Sequence, residues 1–76
     1  MNITYRTDWL SPNDPYRNQV DVMHYGSDLK AAKAMARKMS KVTGSAYVIR
    51  SVDGKDVAHL GYTAGRAASS SGDWTD

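Results

Sequence analysis

Apolar and polar side chains alternate over the first nine positions of the chain. Aromatic, aliphatic and β-branched residues occupy the odd positions, and polar residues occupy most even ones. A period of two predicts a β-strand with one buried face. Residues 18–25 repeat the pattern, and we expect Val20 and Val22 to point inward and Asp21 and Met23 outward. The turn-forming residues of the intervening segment 10–18 predict a loop that joins the two strands as an antiparallel hairpin.

The pattern changes to a helical period over residues 27–44. At 100° per residue, the apolar side chains form one arc and the cations form the opposite arc. Ser27 is the expected N-cap, and Gly44 is the expected left-handed residue beyond the helix. The apolar arc consists of Leu29, Ala31, Ala32, Met35, Ala36, Met39 and Val42. Of these residues we expect Leu29, Ala32, Met35, Ala36 and Met39 to face a sheet. The basic arc consists of Lys30, Lys33, Arg37, Lys38 and Lys41.

Two further strands are predicted after the helix. Residues 45–52 are rich in β-formers, and Asp53-Gly54 is a strong signal for a two-residue hairpin turn leading into residues 55–62. Residues 66–76 are rich in Ala, Ser and Gly, and Trp74 is their one large apolar side chain, so we expect a flexible tail. The sequence thus predicts one two-layer α+β domain over residues 1–65, in the order ββαββ, with one helix on a small antiparallel or mixed sheet.

Composition limits the classes of function. The chain has 76 residues and no Cys, so it has neither a disulfide framework nor a thiolate metal site. No apolar run approaches the ~20 residues of a membrane span, and the N-terminal residues do not follow the order of a signal peptide. We therefore expect a cytoplasmic protein without a membrane segment, either a monomer or a weak homodimer.

Catalytic and metal-binding patterns are not evident in the sequence. His24 and His59 lie in different predicted strands without clustered carboxylates, and a metal site takes three or four ligands. The serines of segment 69–71 lie in the predicted tail, where no base is positioned beside them. We therefore expect a protein that is not an enzyme and that uses no metal or cofactor.

The basic arc is the clearest candidate for a functional surface. The net charge is only +2, but half of the ten Lys and Arg residues lie on this helix. Lysines can simply keep an exposed helix face solvated, or they can dock onto an acidic protein surface or onto nucleic acid phosphates. The sequence leaves both readings open. It shows no helix-turn-helix and no aromatic RNA-binding signature, so base-specific reading is not indicated.

Aromatic residues are a second candidate surface. Tyr and Trp are enriched in protein interfaces, and we expect Tyr25, Tyr47 and Tyr62 on the uncovered face of the sheet. Together with the basic arc, the predicted partner-binding residues are Lys30, Lys33, Arg37, Lys38, Lys41, Arg50, Tyr47 and Tyr62.

The helix SDLKAAKAMARKMSKVTG and the hairpin AYVIRSVDGKDVAHLGY give residues 1–62 a layout that resembles small phage-encoded type I anti-CRISPR proteins. The resemblance lies in size, element order and helix composition. It implies a non-enzymatic inhibitor that binds a crRNA-guided surveillance complex in the host cytoplasm and blocks DNA binding or cleavage. Many such inhibitors are acidic DNA mimics, whereas this helix is basic, so the resemblance does not extend to DNA mimicry. The alternative is a nucleic-acid-binding accessory domain that places the helix lysines on phosphates.

Overall fold

One helix lies against one face of a five-stranded antiparallel sheet in the part of the chain that the computed structural model describes, residues 1–12 and 19–74. This confirms a small α+β domain, but the order is ββαβββ and not ββαββ. The sheet order is β2-β1-β3-β4-β5. The elements are β1 (Ile3–Leu10), β2 (Val20–Gly26), α1 (Leu29–Thr43), β3 (Ser45–Val52), β4 (Lys55–Thr63) and β5 (Arg66–Gly72).

The first two strands form the antiparallel pair that the alternation predicts. The backbone N–H of Ser11 donates to the carbonyl oxygen of Gln19 at 2.9 Å, which closes the base of the connection. Residues 13–18 of the predicted loop lie outside the described residues. β1 also pairs with β3, so the N-terminal strand lies inside the sheet.

Both ends of α1 are capped, although not as predicted at the N-terminus. Asp28 is the N-cap, because its Oδ1 accepts the N–H of Ala31 at 3.0 Å; the expected cap, Ser27, precedes it. Gly44 ends the helix with a φ of 96°, and its N–H donates to the Ser40 carbonyl oxygen. This conformation favours glycine, as predicted.

The helix lies close to the sheet because small residues face it. Ala32 and Ala36 are fully buried, and Leu29 and Met39 pack partly buried against the same core. Val42, which belongs to the apolar arc but not to the residues predicted to face the sheet, is 59% exposed. Ser40 takes the buried position of the last turns instead.

A hydrogen bond identifies the covered face of the sheet. The Thr7 hydroxyl donates to the Ala32 carbonyl oxygen at 2.8 Å, so odd-numbered residues of β1 point toward α1. Residues opposite each other in a ladder share a face. Val22 pairs with Asp8, and Val20 pairs with Leu10, so both valines lie on the open face, contrary to the prediction. They are 44% and 52% exposed.

Residues 66–72 form a strand where a flexible tail was expected. β5 pairs with β4 and forms an edge of the sheet. Beyond it, the ring of Trp74 stacks on Tyr5 with centroids 6.4 Å apart and planes 9° apart. Backbone pairing and this ring contact hold the segment in place, even though every side chain of β5 is exposed. Residues 75 and 76 lie outside the described residues.

Two tight turns join the last three strands. Asp53 and Gly54 have φ values of 51° and 85°, as the hairpin signal predicts. Ala64 and Gly65 have nearly the same values, 51° and 84°. The second turn is held by the helix: the N–H of Gly65 donates to Ser40 Oγ at 2.7 Å. The end of α1 therefore fixes the β4–β5 turn.

Candidate interaction surfaces

The solvent side of α1 carries the five cations of the basic arc. Lys30, Arg37, Lys38 and Lys41 are exposed, and Lys33 is half-buried. None of the five forms an ion pair with a residue in the described ranges 1–12 and 19–74. We call these five residues the basic face. Their charge is available to a partner without first breaking an ion pair within the described part of the chain.

The basic face is compact, and the helix that carries it is anchored to the rest of the protein. Lys30, Lys33, Arg37 and Lys41 fall within roughly one quadrant of the helix and span about 16 Å along its axis. The helix beneath them is anchored by buried Ala32, and its C-terminal end is fixed to the β4–β5 turn. A partner therefore binds a row of charges carried by a helix whose backbone is already ordered.

Two predicted contact residues lie in the protein interior. Arg50 is 3% exposed and Tyr62 is 5% exposed. Arg50 pairs with Tyr5 in the β1–β3 ladder, and Tyr62 pairs with Ala46, so both side chains share the helix-covered face. The prediction that they belong to a binding surface does not fit this placement, because the folded protein does not present them to a partner.

Tyr25 is also misplaced by the prediction. It packs partly buried against the helix-side core, and burial raises the pKa of its hydroxyl. Tyr47 does lie on the open face of the sheet, opposite Asp8 of β1, and it is 43% exposed. Of the three strand tyrosines expected on that face, Tyr47 alone is there.

The open face also carries a network of charged side chains. Arg6 donates from both terminal nitrogens to the two carboxylate oxygens of Asp56, at 2.7 and 2.8 Å. Its Nε donates to Asp8 Oδ1 at 3.1 Å, and Ser51 Oγ donates to Asp56 Oδ1 at 2.7 Å. These bonds hold one guanidinium between two carboxylates.

The network shifts the pKa values of its members. Hydrogen bonds from Arg6 and then from Ser51 lower the pKa of Asp56 from 3.8 to about 2. The hydrogen bond to Asp56 raises the pKa of Arg6 above its ordinary value. Both shifts favour the charged forms, so the ion pair holds at neutral pH. Asp56 remains half exposed, which limits what the pair contributes to stability.

The two histidines lie on the open face in separate places. His24 pairs with Arg6 in the β1–β2 ladder, and His59 meets the ring of Tyr47 edge-on with centroids 5.8 Å apart. Within residues 1–12 and 19–74, no cluster of three or more potential metal-ligating side chains is found. Nor does any helix there have the length and hydropathy that a membrane-spanning helix requires.

A groove on the open face was missed by the sequence reasoning. It has a volume of about 400 Å³ and is lined by Asp8, Leu10, Val20, Ser45 and Tyr47, together with Trp9, whose side chain packs against the helix-side core. Its residues come from three strands, and their proximity depends on the position of β1 between β2 and β3. The alternating apolar residues of β2 were the one sequence signal for this groove, and the prediction placed Val20 and Val22 on the wrong face of the sheet.

Compared with protein-family models, with curated proteins and with solved structures, the chain shows no significant match.

Proposed function

We propose that this protein is a non-enzymatic binding protein that acts by occupying a surface of a larger partner, with the basic face as its main contact. The observation that supports this most directly is the set of five cations on α1 that have no ion-pair partner among the described residues. Arg6 of the open face binds both Asp8 and Asp56, whereas Lys55 and Arg66 are two further exposed cations that form no ion pair with a described residue. The concentration of five such cations on one helix favours a role for the basic face outside the molecule.

The partner should present negative charge along a row. Cations spread over about 16 Å of one helix face fit an acidic protein surface or consecutive phosphates. Because the backbone under the row is fixed, binding costs mainly the ordering of lysine and arginine side chains. The same charges would increase the rate of encounter with an acidic partner, most strongly at low salt.

In the sharper form of this proposal, the partner is a type I crRNA-guided surveillance complex. The support for it is the resemblance in size, element order and helix composition to small anti-CRISPR proteins. The positive charge of the helix argues for contact with acidic protein, guide RNA or target DNA, and against imitation of DNA. Inhibition would then follow from occlusion of DNA binding or cleavage.

A nucleic-acid-binding accessory domain is the second candidate, because the spacing of the basic face also suits phosphates. The dependence of binding affinity on salt concentration distinguishes the two candidates. Binding to bare nucleic acid weakens linearly on a log–log plot as counterion release is suppressed, by roughly 0.9 per phosphate neutralised on duplex DNA. Binding to a protein surface with an apolar centre has a much smaller slope.

The test is a double charge reversal, Lys33→Glu with Arg37→Glu. The matched control, Lys55→Glu with Arg66→Glu, changes the net charge equally at exposed positions away from the helix. The helix variant should retain the circular dichroism spectrum and a melting temperature close to that of the wild type, since Arg37 is exposed and Lys33 is only half-buried. It should bind its partner at least about tenfold more weakly, which corresponds to roughly 1.4 kcal/mol, while the control binds normally.

The binding measurements use a crRNA-loaded type I complex and a short DNA duplex in parallel. Loss of affinity for the complex alone supports the inhibitor, and loss for the duplex alone supports the accessory domain. Unchanged binding of both by a well-folded helix variant would show that the basic face only solvates the helix. Equal losses by the helix variant and the control would show that net charge, and not this face, determines affinity.

A further inference from the structure

The groove on the open face of the sheet is lined by an aromatic ring, a carboxylate and aliphatic side chains. Tyr47 and Asp8 face each other across the β1–β3 ladder, and Leu10 and Val20 face each other across the β1–β2 ladder. All four line the same volume of about 400 Å³. The groove lies on the opposite side of the sheet from α1, so it is independent of the basic face.

The ring of Tyr47 is fixed before any ligand arrives. It lies over Gly61 of β4, where a Cβ atom would come within 3.1 Å of Tyr47 Cε1. The edge-on contact with His59, at an interplanar angle of 80°, holds the ring from a second side. Even so, 43% of Tyr47 stays exposed. A ring supported by the strand and still open to solvent is suited to contact a flat or cationic group.

The charge around the ring selects the class of ligand. Asp8 and Asp56 share the single guanidinium of Arg6, so this cluster keeps one surplus negative charge. That charge disfavours phosphates near the ring, which argues against a nucleobase carried on a nucleic acid strand. It favours a cation whose apolar stem can lie along Leu10 and Val20.

We propose that this groove binds an arginine side chain of a partner protein. The guanidinium stacks on the exposed part of the Tyr47 ring and donates to the Asp8 carboxylate, which has acceptor capacity beyond its bond to Arg6. The methylene stem lies against Leu10 and Val20. The open face is thus a second contact surface with a charge preference opposite to that of the basic face.

The experiment uses the full chain and the peptide acetyl-Gly-Arg-Gly-amide, titrated while backbone amide chemical shifts are recorded by NMR. The control peptide carries citrulline, which has nearly the same shape as arginine without its charge. The arginine peptide should shift the amides of Asp8, Leu10, Val20 and Tyr47 with a saturating curve, and the citrulline peptide should bind at least about threefold more weakly.

Two variants locate the site, and two more serve as controls. Tyr47→Leu removes the ring but keeps an apolar cover over Gly61, and it should weaken binding about two- to fivefold. Asp8→Asn keeps an acceptor for Arg6 but removes the charge, and it should weaken binding by a similar factor. Tyr47→Phe keeps the ring and should bind like the wild type. The Lys33→Glu, Arg37→Glu variant should also bind normally, because it leaves the groove intact.

Several results would overturn the proposal. Shifts that do not saturate, or that lie outside the groove, would exclude arginine binding there. Equal affinity for the citrulline peptide would show that charge is not recognised. If Tyr47→Leu and Asp8→Asn both keep the spectra of a folded protein and bind the arginine peptide with wild-type affinity, neither the ring nor the carboxylate takes part.

Discussion

Tyr62 and Tyr47 lie on neighbouring strands of one sheet, yet Tyr62 is 5% exposed and Tyr47 is 43% exposed. The arginines divide in a similar way between the two faces. Arg50 is buried on the helix-covered face, whereas Arg6 on the open face binds two carboxylates beside solvent. Each face therefore uses the same residue types for a different purpose: the covered face for packing, the open face for a polar surface with a groove.

The difference between the two faces follows from the alternation of side chains along a strand and from the side on which the helix packs. Successive residues of a strand point to opposite faces, so the position of a side chain follows from register and from the side on which the helix packs. The Thr7–Ala32 hydrogen bond and the two buried alanines of α1 settle that side. Residue type alone does not distinguish a core tyrosine from a contact tyrosine.

The largest effect that tests this comparison is the removal of the two tyrosine rings. Tyr62→Ala should lower the free energy of unfolding by about 3–4 kcal/mol, because it leaves a cavity under the helix. Tyr47→Ala should cost about 1 kcal/mol or less, since the ring is half exposed. Urea denaturation followed by circular dichroism measures both. Similar losses for the two variants would mean that the open face contributes as much packing as the covered one.

A smaller effect is expected where the helix holds the last hairpin. Ser40→Ala leaves the N–H of Gly65 without its side-chain acceptor, which should cost about 1–2 kcal/mol. The loss should be visible locally, as faster hydrogen exchange of the Gly65 amide and of β5 relative to β1. Thermal stability and exchange rates identical to those of the wild type would show that the β4–β5 turn does not depend on the helix. Strong protection of β5 in the wild type would also exclude the flexible tail that its composition suggests.

The smallest expected effect concerns the ion pair of the open face. Because the folded pKa of Asp56, about 2, lies below its ordinary value of 3.8, ionised Asp56 adds stability above about pH 4 that is lost as the pH falls toward 2. Asp56→Asn should be less stable than the wild type by about 0.5 kcal/mol near pH 6, since solvent screens this exposed pair. The free energies of unfolding of the two proteins should become equal near pH 2. A difference in the free energy of unfolding that stays constant from pH 6 to pH 2 would show that the effect does not depend on ionisation of Asp56.

Local signals in the sequence predicted the parts of the fold that local physics determines. The helical period placed α1 and its cations, Gly44 ended the helix, and Asp53-Gly54 formed the expected turn. The N-cap was misplaced by one residue because Ser27 and Asp28 are both suitable caps, and the carboxylate made the bond. The prediction of the basic face required nothing beyond the period of the helix.

The failures share a dependence on distant residues. The inward assignment of Val20 and Val22 required knowing which side of β2 meets the helix, and alternation allows either choice. β5 was missed because Ala and Ser bury little surface; its order comes from pairing with β4 and from the stacking of Trp74 on Tyr5. The second turn, Ala64-Gly65, carries a weaker sequence signal than Asp53-Gly54 and depends on Ser40. The groove could not be anticipated, because three strands form it.

The position of β1 between β2 and β3 has a consequence for how the chain reaches its folded state. The β1–β2 hairpin can form from the first 26 residues, but the other edge of β1 stays unpaired until β3 exists. Pairing Ile3 with Val52 closes most of the chain into one loop, and such non-local contacts slow folding. During synthesis, the N-terminal hairpin therefore exposes a free strand edge until about residue 52 has emerged.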